Sequence, residues 1–155
     1  MAQVARRPIA LVAALVLLLE AVGIVALNAV MARFVEIQSM SLDGLDPDAM
    51  VTGTWALGIV SGLLLALCAL VCLLAGVRDR RPGRPSRVLL IGCAVVHGVL
   101  GAVTVGLVGW AAFALMMVVL GLIVLTLVAY GETDADAGGP PPQPTTPPAS
   151  GSAAA

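Results

Sequence analysis

Two side chains able to exchange a proton stand inside long apolar runs of this sequence. Glu20 lies within PIALVAALVLLLEAVGIVALNAVMA (8–32) and His97 within VLLIGCAVVHGVLGAVTVGL (88–107). A carboxylate in hydrocarbon costs about 2.5–3.5 kcal/mol on insertion scales, so intramembrane ionisable residues usually face the bundle interior and pair. Glu20 is 13 residues beyond Arg7, or about 20 Å along a helix. His97 is ten residues beyond Arg87, or about 15 Å by the same rise. Both segments start at the same end, so the two groups reach similar depth and are expected to touch or to share a water. Burial disfavours the charge on each, and a proton held between them relieves both. Two chemistries follow. One is a proton-coupled or cation-binding site. The other is a neutral, hydrogen-bonded pair that sets helix register.

The remaining candidates are weaker. Ala94, Gly98, Ala102 and Gly106 recur at i, i+4, as do Gly58, Gly62 and Ala66. Such small-residue stripes let helix backbones approach, and here they predict packing of segments 2 and 3 in one bundle, or a homodimer seam. Gly101, one turn from His97, predicts open space beside the imidazole. Ser61, Thr104 and Thr126 can bond their own helix backbone, and Asn28 lies near enough to a helix end to be hydrated. Cys68, Cys72 and Cys93 all fall in apolar runs, where thiols behave as small hydrophobes. No metal-ligand cluster, Walker motif or G-x-S-x-G occurs, and a single histidine excludes a bis-histidine haem within one chain. No cofactor, metal or enzymatic activity is expected.

The elements that must position Glu20 and His97 follow from composition. The chain has 155 residues, 60% of them hydrophobic, with mean hydropathy +1.07. Soluble domains are nearer half apolar, so the solvent of this fold must be lipid. The net charge of −1 points to no nucleic-acid partner. The expected fold class is all-α, a four-transmembrane-helix bundle with spans at about 8–32, 49–77, 88–107 and 110–130. Pro8 suits a first helical position, after a basic leader, 1–7. The first run is longer than a signal-peptide core and carries Glu20, so it reads as an uncleaved span. Asp46 before Pro47 reads as a helix N-cap. Residues 88–130 carry no formal charge and are too long for one crossing, so they require a helical hairpin.

Arg6, Arg7 and the five arginines of RDRRPGRPSR (78–87) share one side, and Arg33 alone lies on the other. The positive-inside rule then puts both termini in the cytoplasm. Trp55, Trp110 and Phe34 fall at the outer interface and Tyr130 at the inner one, as interface anchors. The basic loop matches anionic head groups as well as a topology signal. The tail 131–155 is Gly- and Pro-rich with almost no large apolar residue, and is expected to be disordered.

The pattern RRPIALVAALVLLLEA, an outer loop, an arginine-rich inner loop and a closing hairpin resembles small four-span membrane proteins of actinobacteria such as Streptomyces. Arg7, Pro8 and Glu20 carry that resemblance, together with the Ala, Val, Leu, Gly and Arg bias. It implies a fold and no activity. Glu20 followed by AVG is also similar, locally, to small multidrug resistance transporters, four-helix proteins whose first helix carries a membrane-embedded glutamate. That likeness implies exchange of protons for cationic compounds at Glu20. The strong arginine bias and the long loop 33–50 depart from that family's pattern.

The leading functional reading is a non-enzymatic structural or interaction protein, multi-pass in the plasma membrane, with the Glu20–His97 pair inside it. The alternatives are a proton-coupled small-molecule transporter using Glu20 and an accessory subunit of a membrane complex. The lipid bilayer is the expected partner, with a homo-oligomer or another membrane protein as further possibilities.

Overall fold

A computed structural model describes residues 2–38, 44 and 46–131. It contains four α-helices: α1 (Ala2–Gln38), α2 (Pro47–Arg78), α3 (Arg84–Leu107) and α4 (Trp110–Ala129). All four are long and apolar enough to cross a membrane, the architecture of a multi-pass membrane protein. Lipid offers no partner to backbone N–H and C=O groups, so these apolar runs satisfy them internally as helices. The expected tail, 132–155, lies outside the described residues.

The helix limits differ from expectation at two starts. Helix α1 runs through Pro8, and the leader forms its first turns. Proline within a helix loses only its own N–H bond and crowds the carbonyl one turn back, a cost confined here to the helix start. Helix α3 begins at Arg84, four residues earlier than expected, with Gly83 at the N-cap and Pro85 in the first turn, where proline is tolerated. Asp46 caps α2 as expected, accepting from the Asp48 N–H at 3.1 Å. The α3–α4 turn is made by Val108 and Gly109, both of whose N–H groups donate to the Thr104 carbonyl at 2.9 Å. Gly109 has φ +114°, a value that disfavours any side chain there.

Helices α1 and α2 form one tightly packed hairpin and α3 and α4 another, joined mainly along α1 and α4. Helices α2 and α3 barely touch. The core between them is built of small and medium side chains: Ala13, Leu17, Cys68, Cys72, Leu90, Cys93, Val119 and Ile123. At about 1.5 Å per residue, α4 matches a ~30 Å hydrocarbon core, whereas α1 and α2 exceed it.

The arginine-bearing end is tied together by polar contacts. Arg6 Nη2 donates to Asp79 Oδ2 at 3.0 Å. Its Nε lies 2.9 Å from Oδ1 as an ion-pair contact, off the line of a good hydrogen bond. Arg7 Nε stands 3.7 Å from the same carboxylate. Asp79 is the left-handed C-cap of α2, at φ +50°, a conformation in which aspartate is enriched. Tyr130 does not anchor at the lipid interface as expected. Its ring is 3% exposed, the Arg6 guanidinium lies 5.7 Å over it, and its hydroxyl donates to the Ala75 carbonyl at 3.0 Å. A phenol so near the end of α4 reaches a carbonyl in the last turn of α2, and its ring can be buried there with the hydroxyl satisfied. Trp55 and Trp110 do face outward.

The Arg6 hydrogen bond, with the charges of Arg6 and Arg7, holds the Asp79 carboxyl below its usual range. A group with a lowered folded-state pKa contributes stability above its unfolded pKa and loses it as pH falls through the folded one. We therefore expect the thermal midpoint in detergent to fall on acidification below about pH 4. Asp79→Asn is expected to have a lower midpoint at neutral pH and a flatter acid limb. An acid limb as steep as the wild type's would assign the effect to another carboxylate.

Candidate functional site

Glu20 on α1 and His97 on α3 meet near the bundle centre. His97 Nε2 lies 3.1 Å from Glu20 Oε1 and 3.0 Å from Oε2. The other ring nitrogen, Nδ1, lies 2.8 Å from the Cys93 carbonyl, one turn back on α3, and 3.6 Å from the Cys93 thiol. A carbonyl can only accept, so Nδ1 carries a hydrogen and donates it. That fixes the tautomer. In a neutral imidazole Nε2 would then be a bare acceptor facing two carboxylate oxygens, with lone pairs opposed.

One further proton must therefore lie between the two side chains. It sits either on Nε2, donated to the carboxylate, or on the carboxyl, donated to Nε2. The near-equal distances suit an N–H shared between both oxygens. In either form the pair is electroneutral, so it leaves no net charge in the bundle. The pair is built from two side chains and one backbone carbonyl. Sequence spacing pointed to Glu20 and His97 but not to Cys93. Its i−4 position was the available signal, since that carbonyl is within reach of a histidine one turn on.

The pair is asymmetric in access. The His97 side chain is 4% exposed and that of Glu20 19%. Glu20 is open to a cleft of about 550 Å³ left where α2 and α3 part. Its walls include Ser61, Leu64, Leu65, Val88, Gly92 and Val96, with Glu20 and His97 also lining it. The volume lies within the range of small-molecule sites. Ser61 is the one hydroxyl on its wall.

The glycine stripes separate. Gly58 and Gly62 are buried, but against α1 and not α3. A Cβ on Gly58 would stand 2.5 Å from the Asn28 Cβ, and one on Gly62 would meet Val25 and the Ala21 carbonyl. Ala66 belongs to the same α1-facing side, beside Ala21 and Val25. Of the α3 stripe only Ala94 is buried. Gly98 and Gly106 have open space where a Cβ would be, and Ala102 is exposed. Beyond Ala94, which joins the core, the α3 stripe packs against none of the described residues. Its i, i+4 spacing defines a face, and the buried His97 turns that face outward.

Helix α3 packs against α4 at Gly101, whose missing Cβ is covered by Met117, Met116 and Phe113. The space expected beside His97 there is filled. Asn28 is also buried. It donates to its own Ile24 carbonyl at 2.9 Å under Gly58 instead of standing open at the helix end. Thr104 and Thr126 bond their own helices, to Gly101 O at 2.8 Å and Leu122 O at 2.7 Å.

Among the described residues no group of histidine, cysteine and carboxylate side chains is placed to hold a metal. Comparison of the chain with protein-family models, curated proteins and solved structures finds no match.

Proposed function

We propose that this chain is a non-enzymatic structural or interaction protein, multi-pass in the plasma membrane with both termini cytoplasmic, whose Glu20–His97 pair locks its two hairpins in register. The observation that carries this is the contact itself. It crosses the bundle diagonally from α1 to α3, two helices that otherwise hardly meet. Sliding either hairpin by one residue, about 1.5 Å, would break it and leave two polar groups in hydrocarbon. The outward face of Gly98, Ala102 and Gly106 supplies a surface on which a second copy or another membrane protein could pack. An accessory-subunit role rests on that face.

A second reading, proton-coupled transport of a small molecule, is favoured by the cleft that exposes one edge of Glu20. Glu20→Gln separates the two. The glutamine amide still donates to Nε2 but cannot carry the proton. Under the lock reading, the variant unfolds within about 1 kcal/mol of wild type and keeps its cellular phenotype. Under the transport reading, proton flux in proteoliposomes, followed with an entrapped pH dye, is present in wild type and lost in the variant while the fold survives.

A further inference from the structure

The cleft between α2 and α3 and the arginine loop beside it form one site when read along α3. Val88, Gly92, Val96 and Leu100 all line the cleft. They repeat at i, i+4, so they form a single apolar face of α3. Continuing that spacing one turn back reaches Arg84, the first residue of the helix. Arg87 adjoins Val88, and Arg80 lies in the short connection between α2 and α3. Among the described residues Arg80, Arg84 and Arg87 have no hydrogen-bond or ion-pair partner, whereas the neighbouring acid, Asp79, is already taken by Arg6 and Arg7. Three unpaired arginines thus stand in and just before the first turn of the helix that carries the cleft's apolar face.

We propose that this cleft is a binding site for one anionic phospholipid, with the phosphate held by Arg84, Arg87 and Arg80 and an acyl chain lying between α2 and α3. The dimensions fit. Val88 to Leu100 spans about 18 Å, and one leaflet of a ~30 Å core is about 15 Å deep. The chain would end against the Glu20–His97 pair, which is electroneutral and presents hydrocarbon with no net charge. A cationic amphiphile would meet repulsion at these arginines. A transmembrane helix from a second copy occupies on the order of 2,000 Å³, several times the cleft's volume of about 550 Å³. The site is independent of whether the pair acts as a lock or in proton transfer.

The test uses the purified full-length chain in detergent, offered phosphatidylglycerol and phosphatidylcholine with identical acyl chains, with retained lipid read by native mass spectrometry. Wild type is expected to keep one phosphatidylglycerol, at least tenfold in preference to phosphatidylcholine. In R84Q/R87Q that preference is expected to fall to within a few-fold of parity. Gly92→Leu fills the cleft at a position where a Cβ meets nothing within 4 Å, so it is expected to lose retained lipid of both kinds with its circular dichroism unchanged. Soluble glycerol 3-phosphate is expected not to displace the lipid. Equal retention of the two lipids by wild type overturns the proposal without reference to any variant. So does a folded Gly92→Leu protein that retains lipid as wild type does. Displacement by glycerol 3-phosphate would replace the lipid site by a simple phosphate site.

Discussion

Glu20→Leu is expected to destabilise the folded bundle by about 1.5 kcal/mol, roughly 13-fold in the unfolding equilibrium. The substitution removes the one hydrogen-bond partner that His97 Nε2 has among the described residues and leaves that nitrogen buried without it. A buried polar group stranded in this way costs about 1–3 kcal/mol. The upper end is excluded by the modest strength of interhelical polar contacts in bilayers, at most about 1.7 kcal/mol in measured cases. His97→Phe alone is expected to cost a similar amount, because it leaves the carboxyl without a partner. The double variant should recover much of the loss, since replacing both members by apolar side chains removes the desolvation penalty together with the bond. Unfolding in mixed micelles of increasing sodium dodecyl sulfate would give the four free energies of the cycle. Additive single effects, with no coupling between positions 20 and 97, would show that the contact does not hold the bundle.

Gly58→Ile is expected to be at least as damaging, at about 2–3 kcal/mol. A Cβ at position 58 would lie 2.5 Å from the Asn28 Cβ and 3.1 Å from its Cγ. That neighbour is the root of a side chain on a helix, not a flexible tip, so α1 itself must move. Movement of α1 also pulls on Glu20, eight residues away on the same helix. Gly98→Ile is the control. Position 98 has open space, and the isolated chain should tolerate the change within about 0.5 kcal/mol. Gly101→Ala falls between the two, because the nearest atom to a new Cβ is the Met117 Cε, 2.6 Å away at the end of a flexible chain. The same micelle titration ranks all three. An equal response at positions 58 and 98 would contradict the arrangement in which α2 seats Gly58 against α1 while α3 leaves Gly98 open.

These two predictions draw on different kinds of legibility. Glu20 and His97 could be paired from the sequence because helix rise is constant and the flanking arginines mark a common starting plane. Depth along a span is therefore a one-dimensional quantity, readable from residue numbers. The seating of Gly58 and Gly62 on α1, and the outward turn of Gly98 and Gly106, could not be read that way. Small-residue spacing identifies a helix face but says nothing about which helix faces it. Tyr130 was misplaced for a related reason. An amphipathic aromatic near a helix end suits the lipid interface or a buried carbonyl equally well, and only the position of the Ala75 carbonyl across the bundle chose between them.

By itself, the sequence determined that this is an all-α chain of four membrane-length helices, because lipid leaves an apolar run of that length no other way to satisfy its backbone. It also placed one acid and one imidazole at a shared depth. Tertiary structure decided the rest. It rotated Glu20 and His97 towards each other, and it used the Cys93 carbonyl to fix the imidazole tautomer, so that one proton must lie in the pair. It also kept α2 and α3 apart, leaving the cleft that exposes an edge of Glu20. Azimuth, tautomer and cleft depend on how helices pack against one another, which no single helix specifies.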